Sequence, residues 1–410
     1  LLTRLDGGDL HFIVTHASHN IGYAYDEDWT YDGFHPWGYT SFDAYYRDVD
    51  TNTVELRFVS SDQWRLFNDT TSWVIGTRVK NNKEDLLRQY TYADGDFVSQ
   101  YQPITQAVYG QLESQLSNDL LLTFALRAEN YDFSYGDNAG LNGEHDSTML
   151  GGKLALSYQL GQQLVYASVS RGYKGAGINP DQNVSTDNRF YDEEYNWNYE
   201  IGMKGRLADQ LTSRVAFFVM KREDTQVSDY ELQYRDDGSA EFIDIISNAD
   251  LGTNQGVEVE LSWQATDHWN LSFSGGYLDA YFEDYTRADG TTVTEQQQAQ
   301  APEFTANLLS QLDINESIRW NVEVDFADRY RFSDGHDVTA PSRTLVHTQL
   351  SWRMENWETQ LWINNAFDET YYTRGFGGFS NDPRDFYEFD EPYYQLGNGR
   401  QTGVTVRYQF

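Results

Sequence analysis

Val257, Val259, Leu261 and Trp263 lie on one side of an extended chain, with Glu258, Glu260, Ser262 and Gln264 on the other. A two-residue period with one apolar face marks a β-strand that touches something greasy on one side only. The same beat returns in Leu120, Leu122, Phe124, Leu126 and Ala128, and again in Ile318, Trp320, Val322, Val324 and Phe326. Further runs fall near 10–16, 54–58, 73–79, 106–116, 154–160, 213–222, 304–312, 346–354 and 404–410. Strand criteria give about sixteen such segments. What covers so many one-sided ribbons decides the fold.

The connections answer that question. One set is minimal, at 117–119, 161–163, 208–210, 315–317 and 355–357. The other is long, at 81–104, 132–147, 174–193, 282–301, 328–343 and 367–401. A transmembrane antiparallel β-barrel has tight periplasmic turns at one rim and long extracellular loops at the other. Its apolar strand face meets lipid, its polar face a wet lumen, and closure removes unpaired edges. A soluble sandwich, propeller or surface lectin also has alternating strands, but gives no reason for every second connection to be short. Trp263, Trp269, Trp320, Trp352 and Trp357 lie beside the short turns, where an interfacial aromatic girdle belongs. Phe410 then sits at the lipid boundary, closing the last strand.

Composition agrees. Aromatic residues make up 16% of the chain and Pro is scarce at 7, a mix suited to strands and membrane belts. No stretch reaches the roughly 18–20 apolar residues of a membrane helix. A net charge of −35 argues against a nucleic-acid partner. With no cysteine, neither disulfides nor thiolate metal sites arise. The opening LLTRLDGGDLHFIV has no basic leader before an apolar core, leaving either a cytoplasmic chain or a mature, trimmed one.

Several stretches resemble one family, in order along the chain. VYASVSRGYKGAGIN (165–179), EEYNWNYEIGMKG (193–205), SNADLGTNQGVEVEL (247–261), INNAFDETYY (363–372) and GNGRQTGVTVRYQF (397–410) are similar to motifs of the TonB-dependent outer-membrane receptors, iron-complex and siderophore branch. The 54–79 stretch resembles an earlier strand pair of that family. The resemblance implies an outer-membrane protein of a Gram-negative bacterium that takes up a bulky scarce nutrient. A ferric siderophore or other iron complex is the implied ligand, and the TonB–ExbB–ExbD complex, acting through an N-terminal plug, the implied energy source.

Neither plug nor TonB-engaging segment is legible here. Plugged outer-membrane transporters have 22 strands; 410 residues would leave about 19 per strand and connection, too few for strands of about 10 plus these loops. Residues 1–410 are therefore expected to be the C-terminal two-thirds to three-quarters of such a barrel, with the plug and first strands outside this chain. The alternative is a complete, plugless barrel of about sixteen strands acting as a passive porin-like channel. A structural or adhesive surface role is a third reading.

No catalytic constellation appears: there is no His-Glu-x-x-His, Gly-x-Ser-x-Gly or Gly-x-x-x-x-Gly-Lys-Ser/Thr, and a non-enzyme without covalent cofactor is expected. His11, His16 and His19 cluster, but their offsets put them on no single strand face; a solvated loop competes with a metal site. Ligand-binding candidates lie on the long loops. They are Arg171 and Lys174 around a Gly-rich turn, Arg189 in 189–197, Tyr281 and Tyr285 in 281–290, and a last-loop group. That group is Tyr371, Tyr372, Arg374, Phe376, Phe379, Tyr387, Tyr393 and Tyr394. Aromatic faces with a few polar hooks suit capture of a bulky chelate; a loop packed on its own aromatics is the competing reading. Arg171 and Lys174 also read as rim charges paired to carboxylates, and Gly172, Gly175 and Gly177 as backbone bends. The outer acids suit Ca2+ binding or bridging to lipopolysaccharide phosphates through divalent cations.

Overall fold

The computed structural model describes residues 1–410 apart from 27–29, 182, 235–239, 288, 289, 380, 381, 387 and 390, and apart from the side chains of 232–234, 240–242, 378, 379 and 385. One antiparallel sheet of 18 strands forms the wall. Its strands follow chain order: Leu2–Leu5, Gly8–Asp26, Phe42–Ser60, Thr71–Tyr90, Phe97–Ser117, Leu120–Asp137, Asn142–Leu160, Gln163–Lys174 and Glu194–Ala208 come first. Leu211–Tyr234, Ala240–Thr266, Trp269–Thr286, Phe304–Asp313, Ile318–Ala327, Arg343–Met354, Trp357–Asn364 and Gln401–Tyr408 complete the ladder. Thr292–Gln297 hangs on the outer end of Trp269–Thr286. The expected all-β antiparallel architecture of about sixteen strands is what the chain adopts, its strands pairing in chain order, with a further four-residue Leu2–Leu5. Among the described residues no helix is long and apolar enough to cross a membrane.

Register puts the apolar alternation on one continuous outer band. Phe217, Ile201, Ala167, Leu156 and Leu122 stand side by side across five strands. Phe217 is 52% and Ile201 55% exposed, a contiguous greasy surface far beyond what a water-soluble monomer shows. On Leu120–Asp137 the outward apolar row runs from Leu120 to Ala128, about 26 Å of strand. Once tilted, that length covers most of an apolar belt of about 25 Å. The opposite face is polar and hydrogen-bonded. The Tyr166 hydroxyl donates to Glu200 at 2.6 Å, the Tyr109 hydroxyl to Glu55 at 2.7 Å, and Asn307 Nδ2 to Glu323 at 2.9 Å.

Trp263, Trp269, Trp320, Trp352 and Trp357 are all exposed beside short turns, the girdle the sequence suggests. The C-terminus joins it. The Tyr408 ring lies 4.7 Å from Trp357 and 5.1 Å from Phe410, and the Gln409 amide donates to the Asn356 carbonyl at 2.9 Å.

Two expected long loops are mostly strand. Thr71–Tyr90 and Phe97–Ser117 leave only 91–96 between them, and Leu120–Asp137 and Asn142–Leu160 leave 138–141. Above the lipid both faces are wet, so apolar alternation stops while the backbone ladder continues; Asp48 opposes Asp85 and Thr51 opposes Asn82. Of the remaining long connections, 27–41 was not anticipated. The inner rim also departs once, where 61–70 holds the short turns Asp62–Trp64 and Leu66–Asp69.

Outward Phe124 is the midpoint of that row, so Phe124→Arg should destabilise the full-length protein in bilayers by about 2–4 kcal/mol. Lumen-facing Ser168→Arg should change stability by less than about 0.5 kcal/mol. Urea midpoints of bilayer refolding measure both; equal midpoints would contradict the assignment of faces.

Candidate ligand surface at the outer mouth

Past the lipid band the strands and loops knit into a cap. Tyr285 is 1% exposed, packed with Val227, Ala249 and Phe282. Its hydroxyl donates to Asp229 Oδ2 at 2.5 Å and lies 3.3 Å from Ser247 Oγ. Asp229 is itself buried and takes the Tyr230 amide on its other oxygen at 2.8 Å. Asp334 meets the same junction: its carboxylate accepts the Ala299 amide at 2.7 Å and its carbonyl accepts Gln296 Nε2 at 2.8 Å. These contacts fasten three segments, Leu211–Tyr234 with Ala240–Thr266, 282–300, and 328–342. Burial pushes the Tyr285 phenol up, its bond to Asp229 adding to the shift. Burial also raises Asp334, against the pull of the Ala299 amide, Arg331 and Arg222.

The last loop forms its own hairpin, Tyr372–Phe379 with Glu391–Leu396, and lies on 328–342. Tyr372 packs on Tyr330, Phe332 and Ala340, Tyr394 lies 4.4 Å from Tyr372 and 6.1 Å from Phe332, and Gly375 passes against the Phe332 ring. The self-packed cap reading therefore holds for Tyr372 and Tyr394. Tyr371 sits under Arg343, 5.1 Å from ring to guanidinium. Arg374 is exposed and Phe376 half-buried, and Tyr393 pairs with Phe376 through the backbone. The Phe379 side chain and Tyr387 lie outside the described residues.

The cationic candidates fare differently. Arg171 shares the outward face of Val169, Tyr199 and Ile201. Its guanidinium stacks 3.9 Å from Tyr195 and 5.8 Å from Trp197 and donates to the Leu150 carbonyl at 2.6 Å. It looks to the membrane side of the wall, not to the mouth. Lys174 ends its strand, exposed, opposite Glu194. Arg189 donates to the carbonyls of Asn179 at 2.9 Å, Val184 at 2.7 Å and Asp181, clasping loop 175–193. Tyr281 is half-buried, its carbonyl accepting Gln298 Nε2 at 3.0 Å.

The histidines occupy strand Gly8–Asp26, not a loop. By the alternation of that strand, His16 shares the face of Phe12 and Val14 while His11 and His19 share the other, and His16 bonds Asn52 at 2.9 Å. Among the described residues no three His, Asp or Glu gather closely enough for a cation.

An aromatic stair in and around 30–45 was missed. Phe34, His35, Tyr39 and Tyr92 follow at 5.1, 5.3 and 5.5 Å. The Arg384 guanidinium stands 5.4 Å from Phe34, so this loop meets the last one. Trp37 is 81% and Tyr31 71% exposed. The signal lay in the density of rings in WTYDGFHPWGYTSFDAYY, 29–46. Exposed rings on the loop that Arg384 touches are the part of this surface open to a bulky, flat ligand.

The family described as TonB dependent receptor-like, beta-barrel matches residues 3–366. The chain is 21% identical over 360 residues to the pesticin receptor of Yersinia enterocolitica, covering 83% of this chain and 49% of that protein. It spans about half the length of that curated relative. It superposes on the ferric yersiniabactin uptake receptor FyuA from Yersinia pestis with TM-score 0.76 at 18% identity, over 100% of this chain and 60% of that one. The siderophore receptor PiuA from Acinetobacter baumannii gives TM-score 0.76 at 16% identity, over 98% and 62%.

Tyr285→Phe leaves the buried Asp229 carboxylate short of a donor, at a cost of about 1–3 kcal/mol; amide exchange across 228–232 and 296–300 should speed accordingly. The fold favours the neutral Asp334 carboxyl. Its contribution is therefore complete below the ordinary aspartate value, near 3.9, and fades as pH rises through the raised one. Cap protection, corrected for intrinsic exchange, should fall over that rise in the native protein and stay flat in Asp334→Asn. A flat native profile would refute this fastening role of Asp334.

Proposed function

We propose, from the premise that this chain belongs to the TonB-dependent receptor β-barrel family, that it is the C-terminal wall of an outer-membrane receptor for a ferric siderophore or similar iron complex. The chain lies in the outer membrane of a Gram-negative bacterium, its strands crossing lipid as those of its structural neighbours do. The observation that carries the reading is the pairing of that wall with an outer mouth rich in exposed rings and flanking arginines. Such a surface binds without reacting, which suits a receptor and no enzyme.

The ladder supports a longer barrel. Leu2–Leu5 pairs only with Gly8–Asp26, and Gln401–Tyr408 only with Trp357–Asn364, so each has an open edge among the described residues. Edges of this kind are not tolerated in lipid, and further strands of the same protein are the natural partners. A plug inside the lumen would couple the receptor to TonB–ExbB–ExbD; lipid and lipopolysaccharide surround the wall.

A deletion strain should lose growth under iron limitation when its cognate ferric siderophore is the only iron source, and a proton-motive-force uncoupler should abolish uptake by the intact strain. The full-length protein in planar bilayers should pass little current. A large, steady ohmic conductance together with uncoupler-insensitive uptake would favour the passive channel instead.

A further inference from the structure

We propose that Tyr101 and Tyr131, with Glu84 and Glu193 beside them, form a ferric-ion site on the inner wall of the outer mouth, where an incompletely chelated iron exchanges weak ligands for phenolates. The inference rests on the iron-uptake reading above and adds a direct contact between protein and metal.

Both tyrosines continue lumen-facing rows. Tyr101 shares its face of Phe97–Ser117 with Tyr109, and Tyr131 shares its face of Leu120–Asp137 with Arg127 and Glu129. The outward neighbours of Tyr131 are already Asn130 and Asp132, so the pair stands above the lipid band. Their phenol oxygens are 2.6 Å apart. Two oxygens bound at right angles to one octahedral ion, with bonds of about 2 Å, lie about 3 Å apart. The pair thus presents adjacent corners with little movement.

A hydrogen bond between the two uses a single O–H and leaves lone pairs on both oxygens for a ligand. Glu84 faces Tyr101 directly across the ladder and is held by Arg47 Nη1 at 2.6 Å. Glu193 is bonded to His145 at 3.0 Å. The Phe133 ring ties the group together, 5.3 Å from Tyr101, 6.1 Å from Tyr131 and 5.8 Å from His145. Gly175 crosses over Tyr131, where a Cβ would come within 3.0 Å of the ring, and Gly177 crosses over Tyr191. Those glycines serve close approach to tyrosines more than bending.

All the donors are oxygens, the set a hard trivalent cation selects. Burial holds both phenols protonated on their own, so a strong Lewis acid is needed to displace the protons. Each coordinated phenol gives its proton to water, the iron remains ferric, and the weak chelator leaves with its own electron pairs.

The test titrates the full-length receptor in detergent with ferric nitrilotriacetate, which leaves coordination positions open. A phenolate-to-iron charge-transfer band should appear in the visible at one iron per protein. It should vanish in Tyr101→Phe/Tyr131→Phe, weaken in either single variant, and persist in Tyr45→Phe, a control whose hydroxyl donates to Asp43 at 2.8 Å and not to the pair. Heat-modifiable migration in gels checks that the variants are folded. No band in the native protein, or a band that survives the double substitution as adventitious iron only, overturns the site. A native receptor that takes up ferric siderophore yet gives no band sinks the site and leaves the uptake reading intact. A receptor with the band but no uptake does the reverse.

Discussion

Backbone hydrogen bonding in a medium without water governs this molecule. Each unmet N–H or C=O in hydrocarbon costs several kcal/mol, so a chain with no helix long enough to span among its described residues must answer with an unbroken ladder. Pairing runs without a gap in strand order from Leu2–Leu5 to Gln401–Tyr408. Once that ladder is set, the side-chain period does the rest. Every second residue faces lipid, and Val, Leu, Phe and Trp collect there. Their neighbours face an aqueous lumen and satisfy one another, as Tyr166 does with Glu200 and Tyr109 with Glu55.

A different balance applies above the lipid. Water satisfies the outer backbone groups, so the hairpins have no obligation to remain a closed wall, and their packing becomes particular. The cap uses buried hydroxyls and carboxylates as fasteners: Tyr285 on Asp229, Asp334 on Ala299. Buried polar groups of this kind tolerate few rearrangements, since each lost partner strands a desolvated group. Among the described residues the cap is therefore a specifically packed surface. That packing is what lets Tyr31, Trp37 and Arg374 stay exposed on it.

The wall was legible because lipid imposes a single-residue rule on it. Phe217, Ile201 and Leu156 announce their face by chemistry alone, and the short turns announce which rim they belong to. Legibility ended where lipid ended. Residues 81–90 and 97–104 are strand, but with both faces wet no alternation records it. The candidate site was read less well, for a related reason. Arg171 and Arg189 were selected as hooks by residue type, yet a guanidinium has five donors and a loop is full of carbonyls. Arg189 gives its donors to Asn179, Asp181 and Val184. Arg171 stands over the Tyr195 ring. Tyr285 failed for the opposite cause: a ring in an acidic loop served as the loop's own core. Nothing local in the sequence separates a ring that packs inward from one that faces a ligand.

Charge links these levels. The chain has 64 acidic against 29 basic residues, and the outer cations are largely matched, Arg88 to Asp43, Arg222 to Glu194, Arg331 to Asp337 and Arg384 to Asp382. Each pairing removes one acid and one base together, so the excess stays negative and colours the potential at the mouth. Such a field draws cations and resists polyanions. A receptor for iron can work in that field if its nearest ligands to the metal are neutral until the metal arrives. The two phenols meet that condition, adding no charge to an already negative rim while the site is empty, and of the carboxylates beside them Glu84 is held by Arg47. Rings, more than charged hooks, are then the groups this rim can use for capture.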